Sequence, residues 1–260
     1  MLAIRSAMVE MRGGDRMKHI VQFSGGKDST CMLLMMLEKC MQVDEIIFCD
    51  TGMEFPQMYE HIDKVEQYIG RPITRIKPKY SYEYMMYEMK SKKQKNTEKG
   101  YGWASSIVRW CTGWMKEKPN REYLSKIGKY LLYVGIAYDE PKRHFGKYVP
   151  KNAIHPLYDW GITEKQALLT CYKHGFTWGG LYEKFGRVSC WCCPLQNLKS
   201  LRTLYHEYPN LWAELKEMDK RAWNQFRRDY SVQDLENKFK QEDYLKKISI
   251  PLFDVNTDDL

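Results

Sequence analysis

Polar and apolar positions along this chain fall into two kinds of block: short continuous apolar runs, and longer stretches with a helical period. His19-Ile20-Val21-Gln22-Phe23 is a short run that predicts a buried strand, and Cys31 to Leu37 follows as an almost wholly apolar helix. Glu45 to Cys49 predicts a second strand. Pro56 opens a helix with Met58, Ile62, Val65 and Ile69 on one face, and Gly70 closes it. Ile73 to Ile76, Lys129 to Ile136 and Ile154 to Leu157 read as further strands. Thr163-Glu164-Lys165-Gln166 has the form of a capping box, starting a helix that stops at Gly175. The rest is helical and aromatic: Leu198 to Tyr208, a break at Pro209, then Leu211 to Tyr230. Strands alternating with helices predict an α/β fold, an open, mostly parallel sheet with helices on both faces and a C-terminal helical layer.

The pattern changes character between the first strand and the first helix, at Phe23-Ser24-Gly25-Gly26-Lys27-Asp28-Ser29-Thr30. Two glycines allow a sharp turn and a close approach to a ligand. The first amides of the helix point into that turn, and the helix dipole favours an anion there. Ser24, Ser29 and Thr30 add hydroxyls and Lys27 adds a charge, so the stretch is a candidate phosphate cradle. It is not a P-loop, because the glycines are adjacent and Asp28 follows the lysine. A structural turn capped by Asp28 or Ser29 is the other reading of these residues. Asp50, at the end of the second predicted strand, stands where open α/β sheets bind ligands. It could orient a ribose or a metal-bound phosphate, or cap its own turn.

A second chemical centre is Cys190-Trp191-Cys192-Cys193-Pro194. Three cysteines in four positions suit one metal or a redox dithiol, and a proline after the last cysteine recurs in iron–sulfur ligation. An iron–sulfur cluster, a zinc ion and a dithiol are the three readings. Cys192 and Cys193 either both bind one cluster, or Cys192 stays free as a sulfur carrier. Cys31, Cys40 and Cys49 lie on the early core helix and strands and read as structural; Cys171 is ambiguous.

S-G-G-K-D-S resembles the pyrophosphate-binding loop (PP-loop) of the adenine nucleotide alpha-hydrolase superfamily. Asp50-Thr51-Gly52-Met53-Glu54-Phe55-Pro56 is similar to the D-T-G-x-x-F-P stretch of its phosphoadenylyl-sulfate (PAPS) reductase family. Arg109-Trp110-Cys111-Thr112 followed by Lys116 resembles the R-W-C-T…K segment of the DNA-phosphorothioation and phage-encoded branches of that family. Gly135-Ile136 with Asp139-Glu140 and Arg143 matches G-x-R-x-x-E-S-x-x-R in part: Ala137 stands where an arginine is usual and Pro141 where a serine is. Pro156 to Trp160 and Gly186 to Pro194 extend the resemblance, which covers residues 19–215.

The resemblance implies a Rossmann-like sheet with an adenine nucleotide, ATP or PAPS, and Mg²⁺ at the carboxyl ends of its strands. Ser24, Gly25, Gly26, Lys27, Asp28 and Ser29 would hold phosphates, with Asp50, Thr51 and Gly52 beside them. Lys116 and Arg143 would supply further cations. Cys111 would join Cys190, Cys192 and Cys193 as the fourth metal ligand. The implied reaction is ATP-dependent adenylation and sulfur transfer, with AMP and pyrophosphate released and Lys27, Asp50, Lys116, Arg143 and Cys192 in catalytic roles. PAPS reduction with sulfite release is the alternative, although no C-terminal E-C-G-L-H-like motif is found. A non-catalytic nucleotide- and nucleic-acid-binding subunit is the third reading.

Composition adds the setting. The formal net charge of +8 suits polyanionic ligands without separating ATP from nucleic acid. Eight cysteines without a secretion signal point to metal or redox chemistry in the cytoplasm rather than a disulfide framework. No apolar run is long enough for a membrane span. The expected partners are therefore the nucleotide and a nucleic-acid or protein sulfur acceptor. Residues 1–16 are expected to be a disordered extension, with Met17 as the start, 17–160 the nucleotide-binding domain, 161–235 the helical layer and 236–260 an acidic tail. Tyr82, Tyr84, Met85, Met86, Tyr87 and Met89 predict a helix. The lysines Lys90, Lys92, Lys93, Lys95 and Lys99 beyond it read as a lid or as a grip on single-stranded nucleic acid.

Overall fold

The computed structural model describes residues 16–90, 99–147 and 149–248. Its five strands are β1 Lys18–Gln22, β2 Glu45–Cys49, β3 Thr74–Ile76, β4 Tyr130–Val134 and β5 Ala153–Ile154. They form one parallel sheet in the order β3-β2-β1-β4-β5. The helices are α1 Lys27–Glu38, α2 Pro56–Ile69, α3 Tyr82–Tyr87, α4 Lys118–Leu124, α5 Pro141–His144, α6 Pro156–Asp159, α7 Glu164–Lys173, α8 Leu181–Lys184, α9 Leu198–Glu207, α10 Pro209–Arg221 and α11 Val232–Ile248. Thr112–Glu117 is a π-helical turn leading into α4.

The chain divides into two compact units. The first takes in the chain as far as Asp50, with Pro56–Pro78 and Lys116–Gly179; the second takes in Thr51–Phe55, Lys79–Met115 and the chain from Gly180. Helix α7 belongs to the first unit, although it lies beyond residue 160.

In the first unit both faces of the sheet are covered, which is why its strands read as continuous apolar runs. Ile20, Ile47, Ile76 and Leu132 share one face and pack with Leu124 of α4. The alternate positions Val21, Ile46, Phe48 and Tyr133 are buried as well. The strand order reverses at β1: the chain runs outward through β2 to β3, then returns to place β4 on the other side. Such a switch point opens a crevice at the carboxyl ends of the two central strands.

Helix α7 has the expected capping box, with Thr163 Oγ1 accepting from the Gln166 amide and the Gln166 side chain reaching back to Thr163 N. One other expectation needs correcting in this unit. The strand expected over Ile154 to Leu157 ends at Ile154, because Pro156 starts α6 at a position where a missing N–H costs nothing. The charged segment at 139–144 is a loop only to Glu140, and Pro141 opens the short helix α5.

The second unit is helical. Phe55, Phe185 and Tyr208 form one aromatic group, and Tyr205, Trp212 and Phe239 another. The helix expected over Leu211 to Tyr230 ends at Arg221. Residues 236–248, expected as the start of an acidic tail, are the body of α11, whose Leu235 and Phe239 are fully buried. The expected extension before Arg16, the lysines Lys92, Lys93 and Lys95, and the tail beyond Ile248 lie outside the described residues.

Candidate active site

The glycine turn joins β1 to α1 at the switch point of the first unit. Gly25 has φ +77°, and a Cβ there would stand 2.7 Å from Met58 Sδ and 3.2 Å from the Ile62 side chain. Only glycine permits both that backbone and that approach. Gly135, just past β4, is demanded for a different reason. A Cβ on it would lie 2.8 Å from the Ser29 amide and 2.9 Å from the Asp28 carbonyl carbon. The missing side chain lets the end of β4 press against the first turn of α1.

The loop is braced from inside. Ser29 Oγ accepts from Ser24 N at 3.1 Å, lies 3.0 Å from Ser24 Oγ and donates to the Gly26 carbonyl at 3.0 Å. Trp178 Nε1–H donates to the Gly25 carbonyl at 2.7 Å, and His61 stacks on Trp178 at 4.2 Å. His61 Nε2 is 3.0 Å from Thr30 Oγ1. With its carbonyls held inward, the turn presents amides at the start of a 12-residue helix whose N-cap, Gly26, makes no side-chain cap.

Lys27 is a buried lysine with two acidic neighbours. Its Nζ donates to both Asp28 oxygens, at 3.1 and 3.0 Å, and to Glu164 Oε2 at 2.8 Å. Burial alone would lower its pKa; Asp28 and Glu164 outweigh that and raise it, so it is a cation at any ordinary pH. Burial raises the Asp28 pKa against the pull of Lys27, and the charges of Glu164 and Glu140 add to the rise. Arg143 gives both its short contacts, 2.7 Å each, to Glu140.

Asp50, at the end of β2, accepts from the Tyr59 hydroxyl at 2.9 Å. The Lys116 carbonyl accepts from the thiol of the preceding residue, Cys49, at 3.6 Å, while the Lys116 side chain is exposed. Thr51 and Gly52 begin the second unit: Thr51 Oγ1 accepts from Met53 N at 3.3 Å, and Gly52 has φ +76°.

In the second unit the cysteine turn is tightly held. Cys193 N donates to the Cys190 carbonyl at 3.2 Å, and Gln196 Nε2 donates to the carbonyls of Cys190 and Trp191 at 3.0 and 2.8 Å. Trp191 N donates to Met53 O at 3.2 Å, and the Cys190 thiol donates to the buried Glu54 at 3.5 Å. Burial, then the charges of Cys192, Cys111, Cys190 and Cys193, push the pKa of the buried Tyr82 phenol well up. Trp110, the residue before Cys111, packs on Tyr82 at 4.9 Å. Burial and then its neighbouring thiols push Cys192 far above the range of a reactive thiol. Among the described residues, no group of three or more His, Cys, Asp or Glu is already arranged to hold a metal ion. The donor set fits such a metal in kind, since a cation is what would keep these thiols deprotonated. Of the other cysteines, Cys31, Cys49 and Cys171 are buried, but Cys40 is exposed beyond the end of α1 at φ +53° rather than in the core.

Glu164, Trp178, Gly135, Glu54, Tyr82 and Gln196 were not singled out as site residues from the sequence. Of these, Glu54 and Gly135 carried a signal, lying inside the D-T-G-x-x-F-P stretch and the partly matched G-x-R-x-x-E-S-x-x-R stretch.

The phosphoadenosine phosphosulfate reductase domain matches residues 18–196, from the first strand through the cysteine turn to Gln196. The chain belongs to that family. Two proteins of Methanocaldococcus jannaschii are similar to this member of the reductase-domain family. One is 27% identical over 224 residues, 82% of this chain and 42% of that protein; the other is 30% identical over 205 residues, 74% and 46%. A nin-region protein of Escherichia phage lambda is 28% identical over 176 residues, 60% of this chain and 59% of that one. The chain thus spans less than two thirds of each of these relatives. A phosphoadenylyl-sulfate reductase from Candida auris, solved as a phosphate complex, covers 66% of this chain and 81% of its own, at 19% identity and a TM-score of 0.45. Among the described residues no helix is long and apolar enough to cross a membrane.

Proposed function

We propose that this chain is the nucleotide-handling part of a cytoplasmic, ATP-dependent sulfurtransferase that adenylates its acceptor. The observation that carries the reading is the complete S-G-G-K-D-S turn, with the Gly25 and Gly26 carbonyls tied back and a helix start that has no side-chain cap, at the switch point of a parallel sheet. Ser24, Gly25, Gly26, Lys27, Asp28 and Ser29 would hold the β- and γ-phosphates, and Asp50, Thr51 and Gly52 the ribose side. An acceptor oxygen attacks the α-phosphorus and the bond to the bridging oxygen breaks. Charge then grows on pyrophosphate where the loop amides and Lys27 already point. A sulfur nucleophile subsequently displaces AMP.

Mg²⁺ accompanying the nucleotide would neutralise phosphate charge, with carboxylates such as Asp28 and Asp50 at hand to hold it. Lys116 and Arg143 are secondary cations in this scheme, and Arg143 must first leave Glu140. Cys111, Cys190, Cys192 and Cys193 would hold an iron–sulfur cluster or zinc. The complete S-G-G-K-D-S loop, which resembles that of the ATP-cleaving members of the superfamily, favours ATP over PAPS as the substrate.

The test is a product analysis. Incubation with ATP, Mg²⁺ and candidate acceptors should yield AMP and pyrophosphate in equal amounts. Sulfite released from PAPS without ATP would establish the reductase instead.

A further inference from the structure

Past the end of β4, the first unit carries aromatic side chains that the glycine turn does not use. Tyr138 and Phe145 are 52% and 74% exposed. Behind them Tyr158 stacks on His144 with ring centroids 3.7 Å apart and planes within 8°. Phe145 meets His144 edge-on at 4.5 Å, and Tyr138 lies 5.3 Å from Tyr158. The stack is pinned from below, because His144 Nδ1 is 2.9 Å from Nδ1 of the buried His155, with one of the two nitrogens carrying the shared proton. These rings are ordered before any partner arrives.

A phenylalanine held in water in a structured turn forgoes the burial that its ring would gain elsewhere. The charges around it indicate what covers it. Lys142 and Lys147, both exposed, flank Phe145 in the chain. Of the acidic groups nearby, Glu140 is paired with Arg143, Asp139 accepts from the Glu164 amide at 2.9 Å, and Asp159 is exposed at the end of α6. Exposed rings with lysines beside them in the chain suit a ligand that is aromatic and anionic at once, better than an apolar protein surface. A duplex hides the faces of its bases; a single strand offers them.

We propose that Tyr138 and Phe145 form a stacking platform for the bases of a single-stranded nucleic acid whose phosphates lie against Lys142 and Lys147. Glu140 is close enough to the glycine turn for its charge to act on Asp28, so the platform borders the candidate nucleotide site within the first unit. Its role as the acceptor's docking place rests on the adenylation reading. Strand binding itself does not, and it is measured without nucleotide, so either can fail alone.

The experiment is fluorescence anisotropy of the full chain with a labelled oligothymidylate and, separately, an oligouridylate, across a salt series. The wild-type chain should bind at least one. Phe145→Ala and Tyr138→Ala should each weaken binding about ten-fold. Lys142→Ala should reduce the slope of log affinity against log salt by roughly 1. Melting temperature and ATP affinity by calorimetry should stay at wild-type values in the two aromatic variants. Absence of binding to both oligonucleotides, or wild-type affinity in both aromatic variants, would overturn the proposal. So would loss of ATP binding with the oligonucleotide retained, which would assign the rings to the adenine of the nucleotide.

Discussion

The glycine turn and the cysteine turn are both short and rich in one residue type, but they are built in opposite ways. The glycine turn works through its backbone. Ser29 and the indole of Trp178 hold the Gly26 and Gly25 carbonyls inward, Ser29 also accepts from the Ser24 amide, and the start of the helix is left without a side-chain cap. The cysteine turn works through its side chains. Its backbone is immobilised by Gln196, and by Arg227 donating to the carbonyls of Pro194 and Gln196, while the Cys190 thiol donates to Glu54. The first arrangement tolerates no added atom, and the second no lost one.

That contrast is broken most severely by removing a thiol. Cys190→Ser, Cys193→Ser and Cys111→Ser should each abolish metal binding, while Cys40→Ser, at an exposed site, should leave it intact. Iron, acid-labile sulfide and zinc measured on anaerobically purified protein would show it. Equal metal loss from Cys40→Ser would remove the distinction.

The opposite operation, adding one carbon to the glycine turn, comes next. Gly135→Ala places a methyl 2.8 Å from the Ser29 amide, and the backbone must shift to admit it. A displacement of that order at a phosphate site should weaken ATP binding about 100-fold, with metal content unchanged. Calorimetry on the variant checks it, and wild-type affinity would show that β4 does not brace the loop.

A smaller and slower effect concerns the layer beneath the loop. Burial, with a further push from Lys64, lowers the pKa of His61 from 6.5 to about 3. The unfolded chain takes up a proton below pH 6.5 that the folded chain refuses until about pH 3. Stability from this group is therefore complete above pH 6.5 and is lost as the pH falls toward 3. At about 1.4 kcal/mol per pH unit the loss is on the order of 5 kcal/mol. His61→Phe keeps a ring against Trp178 and should flatten that slope in urea titrations run from pH 7 to pH 4. An unchanged slope would place the acid sensitivity elsewhere.

What the chain disclosed in advance follows the same division. The turn Ser24 to Ser29 is contiguous, and so is the capping box at Thr163, so local pattern was enough for both. The parts that set their chemistry come from far along the chain. Glu164 reaches Lys27 across 137 positions and Trp178 reaches Gly25 across 153, and neither has a neighbour in sequence that marks it. The thiols were visible as a run of cysteines. Tyr82 lay inside an aromatic helix indistinguishable from a packing face, and Glu54 inside a motif where its partner could not be seen. Helix α11 was missed because its buried positions, Leu235, Glu236 and Phe239, are thinly spread among charged residues. The end of β5 was misplaced by reading Pro156 as part of an apolar run, when its fixed φ starts a helix.

The central claim is that the glycine turn holds the leaving phosphates of ATP while the α–β bond breaks. Exchange of radiolabelled pyrophosphate into ATP, run with Mg²⁺ and a supplied acceptor, reads that step directly and in reverse. The account predicts exchange by the wild-type chain and its loss in Lys27→Ala, with the fold of the variant intact by circular dichroism. Exchange undiminished in Lys27→Ala, or no exchange together with sulfite release from PAPS, would contradict it.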